Sequence, residues 1–260
     1  MKKIKLLVVA IIFVSAVFAC KKKESKTQLE FTIVSVSDST QNYVDDTTLN
    51  NVIKISYVKA SDKGVATSLA DSINKDFFAW LSVYLYTDNN QIITKENLKD
   101  VVSAEIERFI TEIKEDESVI DYEPYRYAEL SIEPKEPFQN DKIISIIYNA
   151  YQYSGGAHET WGLTAFNYNK KDGSVIDIYN LSTNIDELTA IAEKAFIEQN
   201  GSLEEFWFED DRFTLPNTFY FEDGKIIFYY HLYEISSYAA GDFTIELKND
   251  DVKHIINYIQ

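Results

Sequence analysis

The chain has 260 residues, a formal charge of −17 and 45% hydrophobic residues, so it is long enough for one large domain or two small ones. The acidic excess argues against a nucleic-acid partner, whose phosphates call for Lys and Arg. With 18 Tyr and 16 Phe against 8 Gly and 4 Pro, the composition is that of a packed, sheet-rich protein rather than a disordered one. The single cysteine excludes an internal disulfide.

In chain order, the first feature is a leader. Met1-Lys2-Lys3-Ile4-Lys5 is followed by an apolar run from Leu6 to Phe18, and then by Ala19-Cys20. A basic start, a short apolar stretch and a small residue before the cut are the parts of a secretory signal. The apolar run is shorter than the roughly 20 residues a membrane span needs. Val17-Phe18-Ala19-Cys20 resembles a bacterial lipobox, in which the Cys thiol is acylated, with palmitate among the chains, and everything before it is removed. Residues 1–19 are therefore expected to be a lipoprotein signal peptide, and Cys20 the lipid-bearing first residue of the mature protein. Loss of Lys2, Lys3 and Lys5 with the leader takes the charge from −17 to −20. Acyl chains contribute about 0.8 kcal/mol per buried CH₂, so two or three would anchor the protein stably. Residues 20–28 then form the lipidated Cys and a polar tether. Lys21 to Lys23 could touch anionic headgroups. The expected location is the bacterial cell envelope, on the periplasmic or surface face of a membrane.

Leu29–Val36 and Val52–Val58 alternate and predict two strands. Val65, Leu69, Ile73, Phe77, Trp80 and Tyr84 recur at helical spacing and predict a helix over 65–84. A second helix is expected over 95–114, with Thr94 as its N-cap. Leu98, Val102, Ile106, Phe109 and Ile113 form its inner face, and Glu105, Glu112 and Lys114 a solvated one.

From Tyr125 the period falls to two. Strands are expected at 125–133, 143–153 and 161–168, the eleven-residue middle one in a central position. Asp172-Gly173 should turn the chain into a further strand at 174–179. Asn184 and Glu187 have capping-box spacing before a helix at 185–199, which Gly201 ends. Two strands at 218–222 and 225–232 are joined by Asp223-Gly224, a third covers 243–247, and Asn249 should cap a last helix with Val252, Ile255, Ile256 and Ile259 inward. Mixed order and hairpin connections predict an α+β fold. Its sheet should be largely antiparallel, with helices packed on it in two interlocked α/β subdomains. The expected boundary is at Gly155-Gly156, giving subdomains 29–155 and 156–260.

Catalytic motifs are weak. His158-Glu159 opens like a zincin helix but lacks the second His four residues on, and no metal or cofactor is expected. Ser154 lies near His158, but an orienting acid and an oxyanion hole are not evident. A strand end where Gly155 and Gly156 permit unusual backbone angles accounts for the segment equally. Phe221-Glu222-Asp223-Gly224 has the look of an acidic metal motif of carbohydrate deacetylases, without their His pair, and a hairpin turn explains it fully. The run Glu204 to Asp211 mixes carboxylates with Phe206, Trp207 and Phe208. It could grip a cation or a sugar, or simply pack its rings inward.

Tyr151-Gln152-Tyr153-Ser154-Gly155-Gly156-Ala157-His158 resembles the Tyr-x-Tyr-Thr-Gly-Gly-Ala-His signature of the RsiV-like bacterial envelope family, in which DUF4163 is followed by DUF3298. Asp177 to Leu181, the hairpin Tyr220 to Tyr230, and Tyr233-Glu234-Ile235-Ser236-Ser237-Tyr238-Ala239-Ala240-Gly241 are similar to further elements of it. The resemblance spans about residues 50–258. It implies an α+β envelope domain without catalysis of its own, of the kind that senses and binds lysozyme. Two departures stand out. This sequence shows no cytoplasmic sigma-binding segment or transmembrane helix, and Ser237 replaces a family Pro in the loop expected to meet lysozyme.

Together these readings predict a lipid-anchored, non-catalytic protein of the envelope whose ligand is lysozyme or a peptidoglycan fragment. The negative charge suits a basic lysozyme. The expected binding corner is Ser154, Gly155, Gly156 and His158 with Tyr233, Glu234 and Tyr238. The alternatives are an envelope hydrolase using Ser154, His158 or Glu234, and a purely structural lipoprotein.

Overall fold

The computed structural model describes residues 29–44, 47–61, 67–85, 92–115, 127–155 and 157–259. Residues 1–28, on which the expected leader, Cys20 and tether fall, and Gly156 lie outside the described residues.

The fold is mixed α+β, with two mostly antiparallel sheets and helices packed on them. The larger sheet holds β1 (Glu30–Val44), β2 (Thr47–Ser61), β3 (Glu129–Pro134), β4 (Phe138–Gln139), β5 (Ile143–Tyr153) and β6 (Thr160–Asn169). β1 pairs antiparallel with β2, and β2 runs parallel to β3. β5 takes β3 and β4 on one side and β6 on the other. β5 is thus central, as its length and apolar density predict: Ile143 through Tyr148, Ser145 included, are all buried. The smaller sheet is β7 (Thr218–Glu222), β8 (Lys225–Tyr230) and β9 (Phe243–Lys248). The expected subdomain boundary falls in the connection between β5 and β6, two strands paired along ten residues from Ile143↔Asn169 to Gln152↔Thr160.

Side-chain alternation sorts the core. Ile144, Ile146, Tyr148 and Ala150 of β5 pack under α1 (Thr67–Tyr84) and α2 (Leu98–Glu115), together with Ile53 and Ile55 of β2. The opposite face of the ribbon meets the smaller sheet, where Ile147 and Leu163 touch Tyr220, Ile227 and Tyr229. The far face of that sheet, with Phe221, Ile226 and Phe228, packs against Leu188, Ala192 and Phe196 of α3 (Ile185–Asn200). The two sheets are also joined by a buried polar bridge. Ser145 Oγ donates to Asn167 Oδ1 at 2.6 Å and accepts from Phe221 N at 3.2 Å, while Asn167 Nδ2 donates to the Phe219 carbonyl at 2.8 Å.

α3 begins as its capping signal predicts: the Asn184 side chain accepts from Glu187 N at 3.2 Å, and Gly201 follows the helix at φ 109°. Elsewhere, local chemistry alters the expected elements. α2 starts at Leu98 rather than after Thr94. The Asn97 side chain accepts from Thr94 N at 2.7 Å, and the Asn97 carbonyl takes the first helical bond from Val101. Glu105, expected on the solvated face of α2, is 7% exposed, because its carboxylate accepts two bonds from Arg108. The strand expected at 174–179 is reduced to one bridge between Val175 and Tyr168. There Asp177 Oδ1 accepts from Tyr179 N and Asn180 N, and Asn180 Nδ2 donates to the Val175 carbonyl, so side chains take the bonds a sheet would use. The last helix is only α4 (Asn249–Val252), and Asn249 does not cap it. Its extension is interrupted where the Ile255 carbonyl accepts from Thr183 N and Oγ1, which pulls Ile255 and Ile256 into the core. Among the described residues, no helix is long and apolar enough to cross a membrane.

Candidate functional site

The β5–β6 ribbon is sealed at one end and opens onto clefts at the other. The larger cleft, about 850 Å³, lies between the helices and the tip of the ribbon. α1 contributes Trp80, Val83 and Tyr84 from its last turns. α2 contributes Arg108 and Phe109, β5 contributes Ala150 and Gln152, and β6 contributes Thr160 through Thr164. Thr218 and His231 complete the wall from the second unit. Trp80 rests on Tyr84 with ring centroids 5.0 Å apart, and lies against Tyr148 and Phe166, so the indole is fixed from below by the core. Among the described residues no Asp or Glu lines this cleft, and Arg108 is its one charged side chain. Burial pushes the Tyr84 phenol above its ordinary range, so it stays a neutral hydrogen-bonding group.

His231 is set by three contacts. Its ring nitrogen Nε2 lies 3.1 Å from Thr218 Oγ1, and its ring meets Tyr229 edge-on at 4.9 Å. Its third neighbour is Gly162: a Cβ there would stand 3.0 Å from His231 Nδ1. Glycine in the middle of a strand therefore admits a ring from the other unit. Burial lowers the His231 pKa from the usual imidazole range, with the Glu234 and Asp242 carboxylates opposing it. The imidazole is accordingly neutral near pH 7 and offers one donor and one acceptor.

A smaller cleft of about 450 Å³ flanks the same ribbon tip. It carries Glu133, Lys135 and Asp242, with Lys135 Nζ 5.3 Å from the centre of the Tyr220 ring. The two clefts share Ala150, Trp161, Gly162 and Leu163 as a common ridge. Burial, and then a hydrogen bond to Asp242, raise the Tyr229 pKa strongly, which keeps this phenol protonated beside the carboxylate.

The residues expected to form a binding corner are brought together only in part. His158 and Tyr238 stack, centroids 3.9 Å apart and planes 19° apart. Tyr238 also meets Trp161 edge-on at 5.5 Å and Tyr233 at 5.9 Å. Tyr233 is 53% exposed and has φ 64°, a left-handed conformation that costs a non-glycine residue about 1 kcal/mol. The reciprocal bonds of His231 and Glu234 hold it there: His231 N donates to Glu234 Oε2 at 2.7 Å, and Glu234 N to the His231 carbonyl at 3.1 Å. Ser154 is exposed at the end of β5, Gly155 follows at φ 88°, and Gly156 lies outside the described residues. Ser154, His158 and Glu234 line neither cleft. His254 is an exposed partner of Glu187 at 2.8 Å. In the Glu204 to Asp211 run, Phe206 and Phe208 pack on Phe196, while Trp207 is 59% exposed. Glu222 and Lys225 flank a two-residue turn at Gly224, φ 76°, as a hairpin requires. Among the described residues, no group of three His, Cys, Asp or Glu side chains has the geometry to hold a metal.

Reasoning from sequence missed Trp80, Tyr84, Arg108, Gln152, Trp161 and His231 as cleft residues, because each also fits an element pattern. One signal was available: Gly162 inside an otherwise bulky strand marks a close approach.

Against known proteins, residues 177–250 match the family described as "Protein of unknown function (DUF3298)", and residues 43–160 match the family described as "Deacetylase PdaC". The chain thus carries a DUF3298 domain behind a PdaC-like domain. Its fold is that of solved DUF3298 proteins. A member from Bacteroides fragilis NCTC 9343 superposes with a TM-score of 0.68 at 20% identity, over 90% of this chain and 98% of that one. A DUF3298 family protein from Pseudomonas aeruginosa PAO1 gives 0.54 at 15% identity, over 88% and 94%. No curated protein matches.

Proposed function

We propose that this protein is a lipid-anchored component of the bacterial envelope that binds peptidoglycan saccharides without transforming them. The observation that carries the reading is the chemistry of the 850 Å³ cleft. Sugars present apolar ring faces and a rim of hydroxyl and amide groups. The cleft offers Trp80, Tyr84 and Trp161 for the faces, and Gln152, Thr160, Thr164 and a neutral His231 for the rims. Its size suits one or two sugar rings. The lipobox-like run ending at Cys20 and the resemblance to RsiV-like envelope proteins support placing it beside the cell wall.

Co-sedimentation of the full-length chain with purified peptidoglycan tests this. Saturable retention, competed by soluble N-acetylglucosamine oligomers and weakened in Trp161→Ala, is expected. Absence of retention at any loading refutes the reading. For the anchor, incorporation of a palmitate analogue that disappears in Cys20→Ser is expected, and labelling that persists in that variant refutes it.

A second reading, capture of a basic protein such as lysozyme, is favoured by the −17 charge and by the exposed rings of His158 and Tyr233 and the half-buried ring of Tyr238 beside Glu159 and Glu234. It predicts stoichiometric loss of lysozyme activity that salt relieves. Undiminished lysozyme activity at low salt excludes it.

A further inference from the structure

The smaller cleft carries charges that the fold itself does not use. Its wall holds Glu133, Lys135 and Asp242. Glu133 is neutralised by Lys54, with which it forms an ion pair. Lys135 and Asp242 remain, one of each sign. Among the described residues neither forms an ion pair, with the other or with any third group. The Lys135 ammonium also meets no hydrogen-bond acceptor among the described residues, so its three N–H donors are open. Two opposite charges that share a wall without closing on each other leave room for a ligand that carries the reverse pair.

Both charges are set against buried rings. Lys135 Nζ stands 5.3 Å from the centre of the Tyr220 ring, which is buried, and the Lys135 N–H donates to the Ile147 carbonyl at 2.9 Å. A ring face attracts an ammonium through its quadrupole and takes none of its donors to an oxygen. Asp242 accepts from the hydroxyl of the buried Tyr229, and a carboxylate with about four lone-pair sites keeps others free beside that bond. The same wall offers Ser131, Asn149 and Thr244, neutral groups that donate to or accept from a peptide amide. At about 450 Å³ the cleft is of small-molecule size. A neutral sugar leaves both charges unused, a simple anion meets Asp242, and a simple cation meets Lys135. A ligand with a free ammonium and a free carboxylate satisfies both.

We infer that the smaller cleft binds a short peptide by its two ends, the carboxylate on Lys135 and the ammonium on Asp242. This site is separate from the larger cleft and stands whether or not that cleft takes a saccharide. The test is titration of the ¹⁵N-labelled full chain in detergent micelles with alanylalanine in its L,L and D,D forms, with its C-terminal amide and with its N-acetyl form. The readout is the backbone amide resonances of Lys135 and Thr244. Saturable shifts are expected with the free dipeptide, which should bind about tenfold more tightly than either blocked form, as for loss of one hydrogen bond to a charged group. In Lys135→Gln the free dipeptide and its amide should bind alike, while acetylation still weakens binding. In Asp242→Asn, whose side-chain oxygen still accepts from Tyr229, the pattern should reverse. Both side chains are exposed, so neither change opens a cavity in the core. Absence of shifts with either form of the dipeptide overturns the proposal. So does equal binding of the free and blocked probes by the native chain, or a pair of variants in which both blocking effects persist.

Discussion

The two ends of the β5–β6 ribbon differ in what their neighbours do with the same alternating pattern. At the root, Ile143 to Tyr148 are buried on both faces, and the Ser145–Asn167 bridge ties the ribbon to β7. At the tip, Tyr151, Gln152, Trp161 and Gly162 are only half-buried, and a cleft lies beside them. The difference teaches that the fold keeps its cohesion and its recognition surfaces on one pair of strands but at opposite ends. Substitutions at the root should therefore act on stability, and substitutions at the tip on binding.

The strongest way to break this comparison is Tyr148→Ala. The ring is 1% exposed, lies 4.6 Å from Phe77, and its hydroxyl accepts from Val58 N at 3.1 Å. Its loss should cost about 3–5 kcal/mol in denaturant unfolding. A cost near zero would mean that the root is not where the fold is held. Next comes Asn167→Ala, which strands the Phe219 carbonyl and one bond of Ser145 in a buried interface. A loss of about 2–3 kcal/mol is expected by the same measurement. At the tip, Trp161→Ala should change unfolding by less than about 1.5 kcal/mol, given its partial exposure, while weakening oligosaccharide binding about tenfold, as expected for loss of an aromatic face. The reverse ranking would dissolve the distinction.

The smallest effect concerns pH. His231 titrates lower in the folded chain than in the unfolded one, because burial disfavours its charge. Between the folded pKa and about 6.5 the unfolded chain binds more protons, so stability falls as pH drops through that window and is fully present above it. Unfolding followed from pH 7.5 to 5 should show this slope, and His231→Gln should flatten it. A slope of opposite sign would mean that the ring is held as a cation by Glu234.

Much of the fold was legible in the sequence. The apolar run 143–153 and the turns at Gly173 and Gly224 specify their elements by local periodicity and left-handed glycines, and the Asn184 cap marks the start of α3. The strand expected at 174–179 was not legible as the turn it is, because Asp177 and Asn180 compete for backbone bonds that a periodicity count does not see. The site was less legible still. Trp80 and Trp161 read as core and strand residues, since a ring that half-lines a cleft obeys the same spacing as one that is sealed. Glu105 read as part of a solvated face with Glu112 and Lys114, and only the packing of α2 on the sheet shows the acid to be buried. The Ser154 to His158 and Tyr233 to Tyr238 segments meet at one aromatic stack, a tertiary contact that no spacing within either segment encodes.

The three tryptophans give the most direct test of saccharide binding at the tip. Trp80 and Trp161 line the larger cleft, while Trp207 stands apart from it at 59% exposure. The measurement is titration of ¹⁵N-labelled protein with N-acetylglucosamine oligomers, following the indole N–H resonances. Saturable shifts of the Trp80 and Trp161 signals with a stationary Trp207 signal are predicted. A stationary Trp80 and Trp161, or a shift confined to Trp207, would contradict a saccharide site at the tip of the β5–β6 ribbon.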